Sequence, residues 1–280
     1  MEKWPIGVFT SVDAGLGVSL DFAQQIGVPT VQVHTPHKGS RSPESAKAFR
    51  ALCEQAGLTV TAFFGGFEGE SYADIPTVKN TVGLVPPDTR AERLIEIKEI
   101  ADFSQLVGVN VLGLHLGFIP HDESDPLFGE ILSATRSLCD HCRANSQNVH
   151  LETGQESAED LLHFIGAVGA DNLFINFDPA NMILYGCGEP IEALKKVGHL
   201  VRSIHCKDAK WAARPGEEWG EEVPLGEGDV DIEKYLRTLD EIGYDGPLTI
   251  EREIAHDPQR QQSDIESSVK LLNSLKSTIG

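Results

Sequence analysis

Along this chain, short apolar runs alternate with longer stretches in which apolar and polar positions recur at helical spacing. The apolar runs fall at 5–12, 30–35, 59–65, 109–116, 148–153, 173–178, 201–207 and 247–252. Each is rich in Val, Ile, Leu or Phe with little polar alternation, which predicts strands covered on both faces. Helical stretches are predicted near 17–26, 43–56, 89–107, 126–144, 157–168, 189–197, 231–242 and 260–277. Local chemistry agrees with these bounds. Ser42-Pro43-Glu44 offers a cap followed by Pro at a first helical position. Asp88 to Glu92 places acid in a first turn, and Gly57, Gly108 and Gly243 stand where helices should stop.

Eight such strand–helix units in 280 residues have the size and rhythm of a single-domain (β/α)8 TIM barrel in the α/β class. An open doubly wound sheet would carry a Gly-rich phosphate turn after its first strand. Here SVDAGLGVS holds a GxG without the remainder of that fingerprint. Two connections are long, from Gly65 to Pro87 and from Ala209 to Asp229. Both follow strands and so belong to the face where barrel active sites are built. We expect them to be lids or binding loops without regular structure of their own. Phe67, Trp211 and Trp219 on these loops are candidates to cover a ligand or to pack on each other.

Charge removes some function classes. The chain has 23 basic and 43 acidic residues, a formal net charge of −20, which repels polyanions and argues against nucleic-acid binding. No apolar stretch approaches the roughly 18 residues of a membrane span, and MEKWPIGVFT lacks the features of a secretory signal. A cytoplasmic location is the expectation. Cysteines at 53, 139, 142, 187 and 206 form no disulfide framework. Cys139 and Cys142 have metal-like spacing but no second pair, and they read as ordinary thiols.

The last four strands each end in a side chain able to bind a metal: Glu152, Asp178, His205 and Glu251. In a parallel barrel those ends are neighbours around one rim. Carboxylates at single strand ends are usually just solvated, but three crowded together repel, and a cation is the simplest compensation. Three carboxylates and an imidazole suit one divalent ion, Mn²⁺ or Mg²⁺ foremost, with Co²⁺ or Zn²⁺ tolerated. His115, at the end of strand 4, is placed to meet a substrate hydroxyl or to pack at the rim. Lys207 alternates with His205 and points inward, either towards a substrate phosphate or hydroxyl or into an ion pair. Asn181 either bonds a ligand or caps the turn after strand 6. His34, at the end of strand 2, is a candidate pocket wall. His150 alternates with Glu152 and reads as a packed polar residue deeper in the barrel.

The motifs LGLHLG, HLETG, FDPANM, SIHCKDA, PLGEGDVD and TIERE resemble those of the xylose isomerase-like superfamily of barrels. That group includes sugar and sugar-phosphate isomerases and epimerases, inosose-processing enzymes and endonuclease IV. The resemblance runs from about strand 4 to strand 8. In the ketose 3-epimerase branch the matching Glu, Asp, His and Glu hold one metal, and the two glutamates also move protons. The resemblance therefore implies an acid/base pair in Glu152 and Glu251, with Asp178 and His205 as ligands. Two departures narrow it. Asn181 stands where the epimerases and endonuclease IV have His, and GEGDVD lacks the His that a three-metal phosphodiesterase needs.

The implied chemistry is isomerisation or epimerisation of a sugar or sugar phosphate through a metal-stabilised enediolate. Elimination from a keto-sugar or keto-glycoside is the alternative, and a non-catalytic sugar-binding barrel a third. Lys207, Lys210 and Arg214 are the residues that could meet a phosphate. Related barrels pair through rim loops, which makes the two long loops candidates for a homo-oligomer contact.

Overall fold

The fold was read from a computed structural model that describes residues 3–13, 16–254 and 256–279. In chain order, the first half comprises β1 (Ile6–Ser11), α1 (Leu20–Gln25), β2 (Thr30–His34), α2 (Pro43–Ala56), β3 (Thr59–Gly65), α3 (Ile75–Thr81), α4 (Pro87–Val107) and β4 (Val111–Leu114). The second half continues with α5 (Pro126–Ala144), β5 (Asn148–Glu152), α6 (Ala158–Val168), β6 (Leu173–Phe177), α7 (Pro179–Tyr185), α8 (Pro190–Val197) and β7 (Val201–Cys206). A hairpin follows, β8 (Asp208–Lys210) with β9 (Glu221–Val223), and then α9 (Ile232–Glu241), β10 (Leu248–Ile250) and α10 (Pro258–Ile279).

Strands β1 to β7 pair in sequence order, and β10 closes the ring between β7 and β1, every pair parallel. This is the expected (β/α)8 barrel. Several predicted caps are in place. The Ser42 hydroxyl accepts from the Ser45 N–H to start α2, and Gly57 ends that helix at a φ of 70°. Three elements are additional to the expected set. Helix α3 and the β8–β9 hairpin occupy the two connections that the sequence suggests are without regular structure. Helix α7 is only seven residues long and buried all round, so PANMILY carries no amphipathic signal. It forms because Asp178 caps it and Pro179 pre-sets its first turn.

One buried carboxylate ties the base of the hairpin to the chain that follows it. Asp208 Oδ2 accepts from the N–H groups of Gly226 (2.9 Å) and Gly228 (3.0 Å), and Oδ1 from Ala209 (3.0 Å) and Val230 (3.2 Å). A Cβ at residue 228 would sit 2.2 Å from Asp208 Oδ1. This contact accounts physically for glycine at position 228 of the GEGDVD motif. Among the described residues no helix is long and apolar enough to cross a membrane. Cys139 and Cys142 are free, buried on α5, and burial pushes both thiols up to about 12. They behave as the ordinary thiols expected.

The main core lies between the barrel and its helices, while Phe9, Ala62 and Phe64 form a separate apolar group. The polar positions His150, Asn176, Ser203, His205 and Thr249 on the other strands are also buried. Inside the barrel, aromatic packing from β1 and β3 thus meets polar chemistry from β5 to β10. Phe64 and Phe9 lie against the His205 ring, with centroids 5.3 and 5.7 Å away. Phe64 reaches that position because residue 113 is glycine: a Cβ there would fall 2.5 Å from its ring. We predict that Gly113→Ala destabilises the fold by about 1–3 kcal/mol through overpacking. A shift in urea midpoint at constant slope measures this, and an unchanged midpoint contradicts it.

Candidate metal centre

Glu152 is the last residue of β5, Asp178 follows β6, His205 lies near the end of β7, and Glu251 follows β10. All four are buried, and one ligand atom from each lies within 4.8 Å of the others. His205 Nδ1 is 2.7 Å from Glu152 Oε1, 3.2 Å from Glu251 Oε2 and 3.5 Å from Asp178 Oδ2. The expected convergence of the four strand ends is present in the fold.

Local bonds aim these atoms. Asp178 Oδ1 accepts from the Asn181 N–H at 3.0 Å and so caps α7, which turns Oδ2 towards His205. Gln32 Oε1 accepts from His205 Nε2–H at 2.7 Å, so Nδ1 faces the three carboxylates. Glu152 Oε1, Asp178 Oδ2 and His205 Nδ1 are buried without a hydrogen-bond partner. Unsatisfied buried polar atoms are costly. Three of them converging on one point fit a divalent cation, as does the oxygen-rich donor set. Burial pulls the His205 pKa down, but Glu251 and Glu152 hold it well above the ordinary value. A proton and a cation are thus alternative ways to neutralise the same cluster.

Around this centre lie the other predicted residues. His115 Nε2 is 2.8 Å from Glu152 Oε2, and its Nδ1 is 3.0 Å from the Gln155 amide. Burial lowers the His115 pKa, yet the Glu152 charge and hydrogen bond bring it up to about 9. Burial likewise raises the Glu152 pKa, while His115 and His205 drive it well below the carboxylate range.

Lys207 is wholly buried. Its Nζ donates to Glu251 Oε2 (3.0 Å), to Asn181 Oδ1 (3.2 Å) and to Glu253. The ion pair is therefore the arrangement found, and Arg214 is taken up by Glu217 and Glu218 on the exposed hairpin. The Asn181 side chain bonds Lys207 and does not cap the turn; the capping side chain is that of Asp178. His34 lines a cavity of about 100 Å³ together with Phe64, His115, Glu152 and Glu251. His150 is packed deeper, 2.8 Å from the Ser203 hydroxyl, and burial keeps it neutral by lowering its pKa to about 3.

Gln32, Gln155, Glu253 and Phe64 also shape the site, beyond the residues that the sequence alone sets apart. Gln32 had a usable signal, since it stands two residues before His34 on one strand and shares its face. Gln155 lies in a loop without periodicity, so nothing in the sequence marks it. On the loops, Trp219 packs edge-on against Tyr185 at 4.6 Å, and Phe67 lies under the Arg93 guanidinium at 5.1 Å.

The profile of the family described as xylose isomerase-like TIM barrel matches residues 20–275. The chain belongs to this family. Among solved xylose isomerase-like barrels, a xylose isomerase domain protein from Planctomyces limnophilus is 60% identical, with a TM-score of 0.98 and 99% of each chain covered. Curated relatives are more distant. An inosose dehydratase of Clostridium botulinum is 27% identical over 115 residues, 37% of this chain and 38% of that protein. An L-ribulose-5-phosphate 3-epimerase of Escherichia coli is 36% identical over 95 residues, 33% of this chain and 31% of that protein. The chain thus matches less than two-fifths of the length of either. Epimerases and dehydratases both occur among the proteins to which this chain is similar.

Two outcomes follow from this geometry. Gln32→Leu removes the acceptor that orients His205 and should weaken Mn²⁺ binding about 10–100-fold; calorimetry giving wild-type affinity would dismiss that role. Glu156, beside the centre, accepts from the Ile119 N–H at 3.0 Å, and burial pushes its pKa from 4.5 up to about 7. A raised carboxylate pKa means that folded stability declines as pH rises from about 4.5 through about 7. Glu156→Gln should therefore be more stable than wild type by about 1–3 kcal/mol at pH 8, and close to it near pH 4.5, in urea unfolding. A gain independent of pH contradicts the assignment.

Proposed function

We propose that this protein is a divalent-metal-dependent sugar or sugar-phosphate isomerase or epimerase that moves a proton beside a carbonyl through an enediolate. The observation that carries this reading is the cavity flanked by Glu152 and Glu251, each also facing His205 Nδ1. Glu152, Asp178, His205 and Glu251 would hold the ion, with Mn²⁺ or Mg²⁺ best suited to their oxygen-rich set. Bound there, such an ion polarises a carbonyl and makes the neighbouring C–H more acidic.

The chain's own groups supply the rest. One glutamate removes the proton, and the other returns it from the opposite side, inverting the carbon. Return by the first glutamate to the neighbouring carbon gives an aldose–ketose isomerisation. The two glutamates have different supports. His115 backs Glu152 and can take up or release a proton through Nε2. Lys207 backs Glu251 and fixes its orientation. His115, Asn181, Lys207 and His34 are the candidates to meet substrate hydroxyls. Five free cysteines support a reducing, cytoplasmic setting.

Lys207 and His115 also favour a second reading. Both are nitrogen acids beside the carboxylates, able to protonate a departing hydroxyl, which is what a dehydratase requires. The inosose dehydratase relative is in keeping with it.

Incubation of the Mn²⁺-loaded protein with keto-sugars in D2O tests both readings. Deuterium on the carbon beside the carbonyl is the expected result, and loss of water in its place selects the dehydratase. Glu251→Gln should retain part of the metal and lose at least about 100-fold in exchange rate. Wild-type exchange in that variant would sink the acid/base role.

A further inference from the structure

The chamber at the metal centre holds about 100 Å³, below the roughly 300–1,000 Å³ of most small-molecule sites. Beside it lies a second crevice of about 530 Å³. Leu16 and His34 line both spaces, so the two are adjoining parts of one cleft. The chain runs close to His34 at this point, since a Cβ at Gly66 would approach its Nε2 to 2.6 Å.

The crevice is walled by the segments after β2 and β3, and both are braced. Asp13 accepts from the His37 N–H (2.9 Å) and from the Ser40 hydroxyl (2.7 Å). Glu70 accepts from the N–H groups of Phe67 (2.9 Å) and Gly83 (2.7 Å). A pre-formed cleft binds with less ordering cost than a loose one.

Its chemistry selects the occupant. Glu68, Glu70 and Glu96 line it against only Lys38 and Arg41 among fully charged cations. Arg41 is already engaged by Glu96 (2.8 Å) and the Pro36 carbonyl (2.7 Å), and Lys38 faces Glu99 at 3.4 Å. A phosphate would meet net negative charge there. A neutral polyhydroxylated ring meets hydrogen-bonding carboxylates and the apolar faces of Leu16, Pro36 and Phe67.

We infer that this crevice is a second sugar subsite, and that the substrate is a keto-sugar carrying a further neutral glycosyl unit. This inference rests on the reading of the metal centre as a keto-sugar site. The keto unit lies at the metal centre and the second ring lies between the β2 and β3 segments, with His34 at the junction.

Calorimetry on the Mn²⁺-loaded full chain tests it with D-fructose, D-fructose 6-phosphate and the keto-disaccharides lactulose, turanose and isomaltulose. At least one disaccharide should bind about tenfold or more tighter than fructose, and the phosphate ester should not. Glu68→Trp, which fills the crevice, should reduce the disaccharide-to-fructose affinity ratio to near one. Disaccharides no tighter than fructose, a ratio unchanged in Glu68→Trp, or a preference for the phosphate ester each overturns the subsite. Deuterium exchange is scored separately. Tight disaccharide binding without exchange into any of these sugars keeps the subsite and overturns the isomerase reading.

Discussion

Three carboxylates pressed around one imidazole are the constraint on which the mouth of this barrel depends. At an effective dielectric near 20, two unit charges 4 Å apart repel by about 4 kcal/mol. A domain is stable by only about 5–15 kcal/mol in total. Glu152, Asp178 and Glu251 therefore cannot be held together as bare anions. Their surroundings supply the compensation: His205 at the centre, His115 behind Glu152 and Lys207 behind Glu251. The helix start at Asp178 takes up one further oxygen. A divalent cation would complete the balance and satisfy the three buried atoms that lack a hydrogen-bond partner. The same crowding that opposes folding would be the source of affinity for such an ion.

The barrel divides its labour across its interior. Packing comes from Phe9 and Phe64, and chemistry from the strands β5 to β10. The two halves meet at His205, whose ring is flanked by aromatic faces on one side and carboxylates on the other. An imidazole clamped in this way has little rotational freedom. Gln32 fixes which nitrogen points to the ligands. The candidate ion position is thus set as much by apolar packing as by the four ligand side chains, although none of the packing residues offers it a donor atom.

The strand–helix rhythm made the barrel legible in the sequence, because eight buried parallel strands leave apolar runs that few other folds leave. The four ligands were legible for a related reason: each closes such a run, and a parallel barrel brings those ends together. Features determined by tertiary contact were less accessible. Helix α7 is apolar on every side, so it has no period to read. The hairpin strands are three residues each and rich in charge, and the Asp208 carboxylate that secures the chain after them does so through backbone groups far along the sequence. Lys207 could be placed inward by alternation, but its partners Glu251, Glu253 and Asn181 come from other segments. Gln155 reaches His115 from a loop, where neither spacing nor composition marks it.

That Asp208 carboxylate also has a meaning for how the protein can change. It lies one residue beyond Lys207, and it gathers four backbone N–H groups from the base of the hairpin and the returning chain. The base is thereby fastened to β7, while the outer end has a separate seat on the end of α7: the Gly220 N–H donates to the Leu184 carbonyl at 3.0 Å, Trp219 packs on Tyr185, and a Cβ at Gly186 would fall 2.0 Å from the Gly216 nitrogen. The two attachments use different parts of the chain, the base resting on a side chain after β7 and the outer end on the backbone of α7. The hairpin and α7 therefore form one piece of the rim: a lineage that recodes the hairpin's outer end must keep its fit to Gly186, at the far end of the helix that the candidate ligand Asp178 begins.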